Sequence, residues 1–205
     1  ETEMALSTTS QTFAYNINLY GYTYYLNPTK NLGGWTDLPD SLVVNGYNDT
    51  GTTTQPLSLG GICLNGGTVY TLGGDDTISS VLNYDYSRGS RLNTSDIKAL
   101  YVNGTLYMGI GSDRLIGSMS YTSTYSTYPT RLFGLFNNGA VFMGDGADVI
   151  GGSVSISESR AVSTSLYGID NYGTLSMEAG DDVINASVDV RSNYSIGTSY
   201  CLWNR

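Results

Sequence analysis

The stretch GAVFMGDGADVIGGSVSI, Gly139–Ile156, decides the fold because three other segments repeat its pattern without gaps. Its counterparts are GTVYTLGGDDTISSVLNY from Gly67, GTLYMGIGSDRLIGSMSY from Gly104 and GTLSMEAGDDVINASVDV from Gly173. The copies begin at residues 67, 104, 139 and 173, so they lie 34 to 37 residues apart. A shared aspartate follows each first glycine after nine residues: Asp76, Asp113, Asp148 and Asp182. This regular spacing indicates an internal repeat.

Apolar residues alternate on both sides of the aspartate in each copy. Before it, Val141 and Met143 lie two residues apart and predict a short strand with one buried face. After it, Ile150, Val154 and Ile156 keep the same alternation, with the small Gly152 between them. Each copy therefore predicts a short strand, a Gly-Asp turn and a longer strand.

A third apolar patch precedes each copy and completes a unit of three strands. The patches read GGICLN, KALYVN, FGLFNN and YGIDNY. A unit of this size cannot bury its apolar face alone, so the copies must stack on one another. We therefore predict an all-β fold, a parallel β-helix with three strands per turn, or rung, and four to five rungs. A propeller is the alternative, but its blades need four antiparallel strands.

The N-terminal third is less regular than the four copies. Asp40 and Leu42 in LPDSLVVNG match the spacing of a copy and predict a degenerate first rung. The aromatic stretch FAYNINLYGYTYYL lies outside the repeat. We interpret residues 1–31 as a capping or assembly segment, because an open rung exposes unpaired backbone groups, and residues 32–205 as the repeat domain.

Composition narrows the classes of partner and the location. The net charge is −9 and only 13% of residues are charged, which argues against nucleic acid because phosphates demand basic patches. No apolar run approaches the roughly 18 residues of a membrane span. The chain begins at Glu1 and its polar residues are mostly Ser, Thr, Asn and Tyr. We expect a processed, secreted protein of the extracellular space or cell surface.

The Gly-Asp turns carry a resemblance to a known family. GIGSDRL (109–115) and GDGADVI (144–150) match G-x-G-x-D-x-U, where U is a large apolar residue, while LGGDDTI and EAGDDVI lack the first glycine. The motif resembles the calcium-binding turn of haemolysin-type (RTX) repeats. The resemblance implies that turn carbonyls and the aspartate bind calcium between stacked turns. It covers about seven residues per rung, and those repeats recur every nine residues rather than once per rung.

Electrostatics gives an independent reason to expect calcium. Matched residues on stacked rungs lie about 4.8 Å apart, so the shared aspartates would form a column of like charges. A hard cation with oxygen ligands would turn that repulsion into attraction. The predicted metal ligands are Asp76, Asp113, Asp148, Asp182, Asp75, Asp145, Asp181, Gly109, Gly111, Gly144 and Gly146. Two alternatives are a purely structural Asp-Gly turn and a phosphate cradle, but a cradle needs a Lys-Ser/Thr pair and a helix.

Asparagine and cysteine positions give two further predictions. The asparagines before the glycine turn can form an amide ladder: Asn65, Asn103, Asn138 and Asn171. Cys63 and Cys201 fall about four rungs apart, roughly 19 Å. That separation excludes a disulfide within the chain, so each is either a small apolar residue or a link between subunits.

We predict a structural protein and no enzyme. The chain has no histidine, and its acid pairs recur on every rung, whereas a catalytic site is singular. The first hypothesis is a secreted β-helix subunit of an extracellular fibre, surface layer or matrix, stabilised by calcium. Its partner would be a second copy, as a homo-oligomer or a head-to-tail homopolymer in which ETEM (1–4) completes the last rung. The alternative is a calcium-dependent adhesin that binds glycans through Tyr-rich loops.

Overall fold

The computed structural model describes residues 11–13, 17–20, 23–25, 41–49, 62–66, 68–71, 73–86, 96–123, 131–158, 164–192 and 197–205. All regular elements in these ranges are β-strands, seventeen in number. Among them no helix is long and apolar enough to cross a membrane. The sequence ETEM lies outside the described ranges, so its role in completing a rung stays a prediction.

The strands form three parallel sheets, which we name A, B and C. Sheet A contains β1 (Gln11–Phe13), β4 (Ser41–Asp49), β7 (Thr77–Tyr86), β10 (Arg114–Ser123), β13 (Val149–Glu158) and β16 (Val183–Ser192). Sheet B contains β2 (Ile17–Tyr20), β5 (Ile62–Asn65), β8 (Asp96–Val102), β11 (Arg131–Asn137), β14 (Ser165–Asn171) and β17 (Ser199–Asn204). Sheet C contains β3 (Thr23–Tyr25), β6 (Thr68–Tyr70), β9 (Thr105–Tyr107), β12 (Ala140–Phe142) and β15 (Thr174–Ser176).

Each sheet collects every third strand in chain order, which is the topology of a β-helix with three strands per rung. Leu115 pairs with Ile78 on one side and with Ile150 on the other, and Ile150 pairs with Ile184. The predicted fold and the gap-free alignment of the four copies are therefore confirmed. Strands β1, β2 and β3, from the segment 1–31, are the outermost strands of the three sheets on the N-terminal side.

Two hydrophobic clusters fill the interior, and a narrow waist separates them. The larger cluster lies between the three sheets and includes Leu115, Val141 and Ile169. The smaller one lies between sheets A and B alone and includes Met119 and Leu166. Stacked apolar side chains thus continue from rung to rung, which is how a repeat too small to fold alone obtains a core.

Glycines form the waist because the backbones of sheets A and B approach each other there. A Cβ atom on Gly117 would lie 2.2 Å from the carbonyl oxygen of Gly134. One rung further on, a Cβ atom on Gly152 would lie 2.2 Å from the carbonyl oxygen of Gly168. The position after the waist glycine of sheet B is also buried, as Leu135 illustrates, so burial does not alternate along this part of the strand.

The cysteines agree with the predicted spacing. Cys63 lies on β5 and Cys201 on β17, and three strands of sheet B separate them. Four strand spacings of about 4.8 Å are too far for a disulfide within the chain. Cys201 is a free, exposed cysteine.

Candidate functional site

In the four copies of the repeat, the Gly-Asp turns connect sheet C to sheet A at one corner of the solenoid. Gly144 has a φ of +96° there, and a Cβ atom on it would lie 1.5 Å from the carbonyl oxygen of Gly109 in the rung below. Only glycine tolerates both the left-handed backbone and this approach. Gly111 and Gly146 stack equally closely, since a Cβ atom on Gly146 would lie 1.5 Å from the Gly111 carbonyl oxygen. The four predicted glycines therefore let successive turns stack in contact.

The shared aspartates form a buried ladder along this corner. Asp76, Asp113 and Asp148 are 0% exposed. The backbone N–H of Asp76 donates to Oδ1 of Asp113 at 2.8 Å, and the N–H of Asp113 donates to Oδ1 of Asp148 at 2.8 Å. The N–H of Asp148 donates in turn to Oδ1 of Asp182 at 3.0 Å. Each carboxylate thus binds the turn of the preceding rung, and the aspartates are confirmed as one column.

The second carboxylate oxygen makes this ladder electrostatically costly. Oδ2 of Asp113 and Oδ2 of Asp148 are buried without a hydrogen-bond partner. Burial away from water raises the pKa of the Asp113 carboxyl from 3.8 to about 7; the N–H of Asp76 lowers it, and the charges of Asp76, Asp148 and Asp75 raise it. Burial also raises the pKa of Asp148, again with a contribution from neighbouring carboxylates. The column therefore favours a proton or a cation at physiological pH.

The three companion aspartates do not join the buried column. Oδ1 of Asp75 accepts the N–H of Ser112 at 2.8 Å, so it closes the neighbouring turn from the exposed side. Asp145 pairs through the backbone with Ile110 and is exposed, as is Asp181. In the described residues no three acidic, histidine or cysteine side chains converge on one point.

The fit to calcium is therefore incomplete as the side chains stand. Calcium takes six to eight oxygen ligands, often carboxylates and backbone carbonyls. The ladder supplies one unpaired carboxylate oxygen each from Asp113 and Asp148, and stacked glycine carbonyls lie at the same corner. The ladder does not surround an ion with the six to eight oxygen ligands that calcium takes. What the arrangement does by itself is tie each turn to the next through a charge-assisted hydrogen bond.

A second ladder, of amides, lies at the corner between sheets B and C. Nδ2 of Asn137 donates to Oδ1 of Asn171 at 2.7 Å, and Nδ2 of Asn171 donates to Oδ1 of Asn204 at 2.7 Å. The predicted ladder was wrong at its last member, because Asn138 bonds to Asn103 at 2.8 Å, while Asn171 bonds to Asn137. Asn171 pairs in register with Asn137, and the residue one repeat after Asn138 is Tyr172.

A buried acid on the outer face of sheet B was not predicted. Asp170 is 0% exposed, neither of its oxygens has a hydrogen-bond partner, and Arg205 lies 3.7 Å away. Burial raises its pKa to about 6, against the opposing charges of Arg205 and Arg131. It pairs in register with Phe136 and Trp203, so the sequence signal was an aspartate in an otherwise aromatic column.

Recurrence makes both ladders part of the architecture rather than a single site. The carboxylate ladder joins the four copies of the repeat, whereas the amide ladder joins Asn137, Asn171 and Asn204, and Val102 occupies the same position one rung earlier. Both ladders run parallel to the solenoid axis and hold the register of the stack. Comparison of the chain with protein-family models, with curated proteins and with solved structures found no match.

Proposed function

We propose that this chain is a non-catalytic structural protein, a β-helix subunit of a secreted extracellular fibre, surface layer or matrix. The observation that carries the proposal is the uncovered apolar face of the last described rung, which we call the open end. Among the described residues, strands β16 and β17 are the outermost strands of sheets A and B, and each pairs with one neighbouring strand. Open parallel edges of this kind add further polypeptide by strand pairing.

The side chains at this end support the same proposal. Three aliphatic residues that point into the solenoid are 40–48% exposed: Ile184 at 42%, Val190 at 40% and Leu202 at 48%. Their counterparts one rung earlier are 0–1% exposed: Ile150 at 0%, Ile156 at 1% and Ile169 at 0%. A further rung would bury the exposed group, and burial of apolar surface is favourable by about 25 cal/mol per Å².

A second copy is one supplier of that rung. Its β1 and β2, the outermost strands on the N-terminal side, would continue sheets A and B in parallel on β16 and β17. Such a head-to-tail contact does not close on itself and gives a linear polymer.

Calcium belongs to the proposal as a stabiliser of the Gly-Asp corner. The unpaired Oδ2 atoms of Asp113 and Asp148 support it, because a cation beside them would offset the cost of burying their charge. The structural ladder needs no ion for its hydrogen bonds. A chelator separates the two views: loss of stability at pH 7 on chelation supports bound calcium, and no change supports the purely structural turn.

The glycan-binding alternative gains less from the geometry. Sugars bind to open aromatic faces, and several of the described rings stack face to face on rings of neighbouring rungs. Tyr107 lies between Tyr70, 5.0 Å away at 6°, and Phe142, 4.8 Å away at 10°. Tyr167 is likewise stacked between Phe133 and Tyr200. Neighbouring rings cover both faces of Tyr107 and of Tyr167, so we retain the structural role as the proposal.

Negative-stain microscopy and sedimentation velocity of the full chain test it. We expect linear assemblies that lengthen with concentration, and we expect the variant Ile184→Lys/Leu202→Lys to remain monomeric. Ser120→Lys, on the outer side of sheet A, is the matched control and should assemble like the natural chain. Assemblies that form equally well with lysines at the open end would show that this end is not the growth site.

A further inference from the structure

Two ladders of hydrogen bonds reach the open end, where they specify what a further rung must carry. We call this end, formed by the inward-facing groups of β16 and β17, the C-terminal face. In the carboxylate ladder each N–H donates one rung towards the C-terminus, as the N–H of Asp148 does to Asp182. The acceptor for the N–H of Asp182 therefore belongs to the next rung. An aspartate at this position would continue the series.

The amide ladder makes the same demand at another corner. Oδ1 of Asn204 accepts the amide of Asn171 at 2.7 Å, and the amide of Asn204 is the next donor in the series. A side-chain oxygen above it would keep the donor satisfied once the face is covered. A covered donor left without an acceptor would weaken the binding of that rung. The C-terminal face therefore favours a rung that supplies acceptors to both ladders as well as apolar side chains.

The N-terminal rung of this chain, which contains β1 and β2, does not supply the acceptors and small residues that the C-terminal face requires. Continued in the observed register, it would place three residues on partners that they do not match: Gln11 on Ile184, Phe13 on Ala186 and Leu19 on Asn204. Phe13 would stand at the waist, where the two middle rungs have glycine because the sheets touch. Only Ile17, which would cover Leu202, matches its partner.

We propose that the preferred partner of the C-terminal face is a β-helix rung of the repeat's own pattern rather than the N-terminal rung of a second copy of this chain. That rung has an aspartate over Asp182, a small residue over Ala186 and an asparagine over Asn204, with aliphatic residues over Ile184 and Leu202. This inference rests on the proposed function, since it names the partner of the same open end. A second copy of this chain binds there more weakly.

Two labelled peptides test the preference by fluorescence anisotropy against the full chain. The pattern peptide has the sequence of residues 146–171, with Asp148, Ile150, Gly152, Ile169 and Asn171 at the five positions. The first-rung peptide has the sequence of residues 9–20. Each spans one strand of sheet A and one of sheet B. We expect the pattern peptide to bind at least about tenfold tighter and to block assembly of the full chain, since about 1.4 kcal/mol separates tenfold affinities.

The variant Asn204→Leu gives the matched comparison. It should weaken the pattern peptide about tenfold and leave the first-rung peptide as tight or tighter, because Leu19 would then meet leucine. Circular dichroism checks that the variant folds. If it does not fold, the relative affinities of the two peptides for the natural chain still test the preference. Equal binding of both peptides, with assembly of the chain alone, would overturn this inference and leave the proposed function standing. No binding of either peptide and no assembly would overturn both.

Discussion

Replacing Asp113 with asparagine is expected to stabilise the protein above pH 7 in the presence of a chelator. The asparagine Oδ1 can still accept the N–H of Asp76, while the buried charge is removed. A rise in pKa from 3.8 to about 7 corresponds to about 4 kcal/mol at 1.36 kcal/mol per pKa unit. The new Nδ2 donor is buried without a partner, which costs about 1–3 kcal/mol. The net gain is about 1–3 kcal/mol at pH 8.

The pH dependence follows from the sign of the shift. The folded pKa of Asp113 lies above its unfolded value, so the folded state binds the proton more tightly. That stabilisation is fully present below pH 3.8 and is lost as the pH rises through about 7. The natural chain should therefore lose free energy of unfolding between about pH 4 and pH 8. The variant should lose less over the same interval.

Urea unfolding followed by circular dichroism, at several pH values with a chelator, measures both effects. Asp189→Asn is the matched control, because Asp189 is an exposed partner of Arg191 and its replacement should change stability by less than about 0.5 kcal/mol. The reasoning is refuted if the Asp113 variant is less stable than the natural chain at pH 8 and the natural chain shows no loss of stability with rising pH. In calcium, a bound ion would reverse the order of the two proteins at pH 8.

Three other substitutions test separate parts of the fold. Gly152→Ala should cost about 3 kcal/mol or more in urea unfolding, since its Cβ would lie 2.2 Å from the carbonyl oxygen of Gly168; a loss below 1 kcal/mol would mean that the waist is not in contact. Asn171→Leu should cost about 1–3 kcal/mol in the same assay, because it leaves the amide of Asn137 without its side-chain acceptor; unchanged stability would show that the amide ladder is dispensable. Asp170→Asn should reduce the loss of stability that the natural chain shows as the pH rises through about 6, because burial raises the pKa of this carboxyl; an unaltered pH profile would show that Asp170 does not titrate in this range.

The stack could be predicted from sequence because its determinants lie close together along the chain. The nine-residue spacing from glycine to aspartate and the alternation after it fix which residues of neighbouring rungs meet. Leu115 consequently pairs with Ile150 as the alignment predicts. Parallel stacking of equivalent residues needs no knowledge of distant contacts.

The waist could be predicted only in part. The sequence showed Gly152 as a small residue between Ile150 and Val154, but its partner Gly168 lies on another sheet, and no local pattern connects the two. Burial along the sheet B strand also stops alternating at its glycine, so Leu135 is buried out of phase with Leu132. Contacts between sheets of one rung depend on loops whose lengths carry no periodic signal.

The candidate site could also be predicted only in part from the sequence. Composition and spacing placed the aspartates in one column, yet they could not say which backbone N–H each carboxylate accepts. In an ordinary Asp-Gly turn the aspartate accepts N–H groups of its own turn. Here the N–H of Asp76 donates to Oδ1 of Asp113, so the bond joins two rungs. Burial of the second oxygen depends on how tightly the turns stack. That property follows from glycine backbone geometry rather than from the aspartates.

The most direct test of the proposed role is hydrogen–deuterium exchange of the full chain, measured before and after assembly or after binding of the pattern peptide. If the open end is the growth site, exchange should slow at the amides of β16 and β17, while β10, already paired on both sides, should not change. Assemblies or complexes that leave β16 and β17 exchanging as fast as in the free chain would contradict the account.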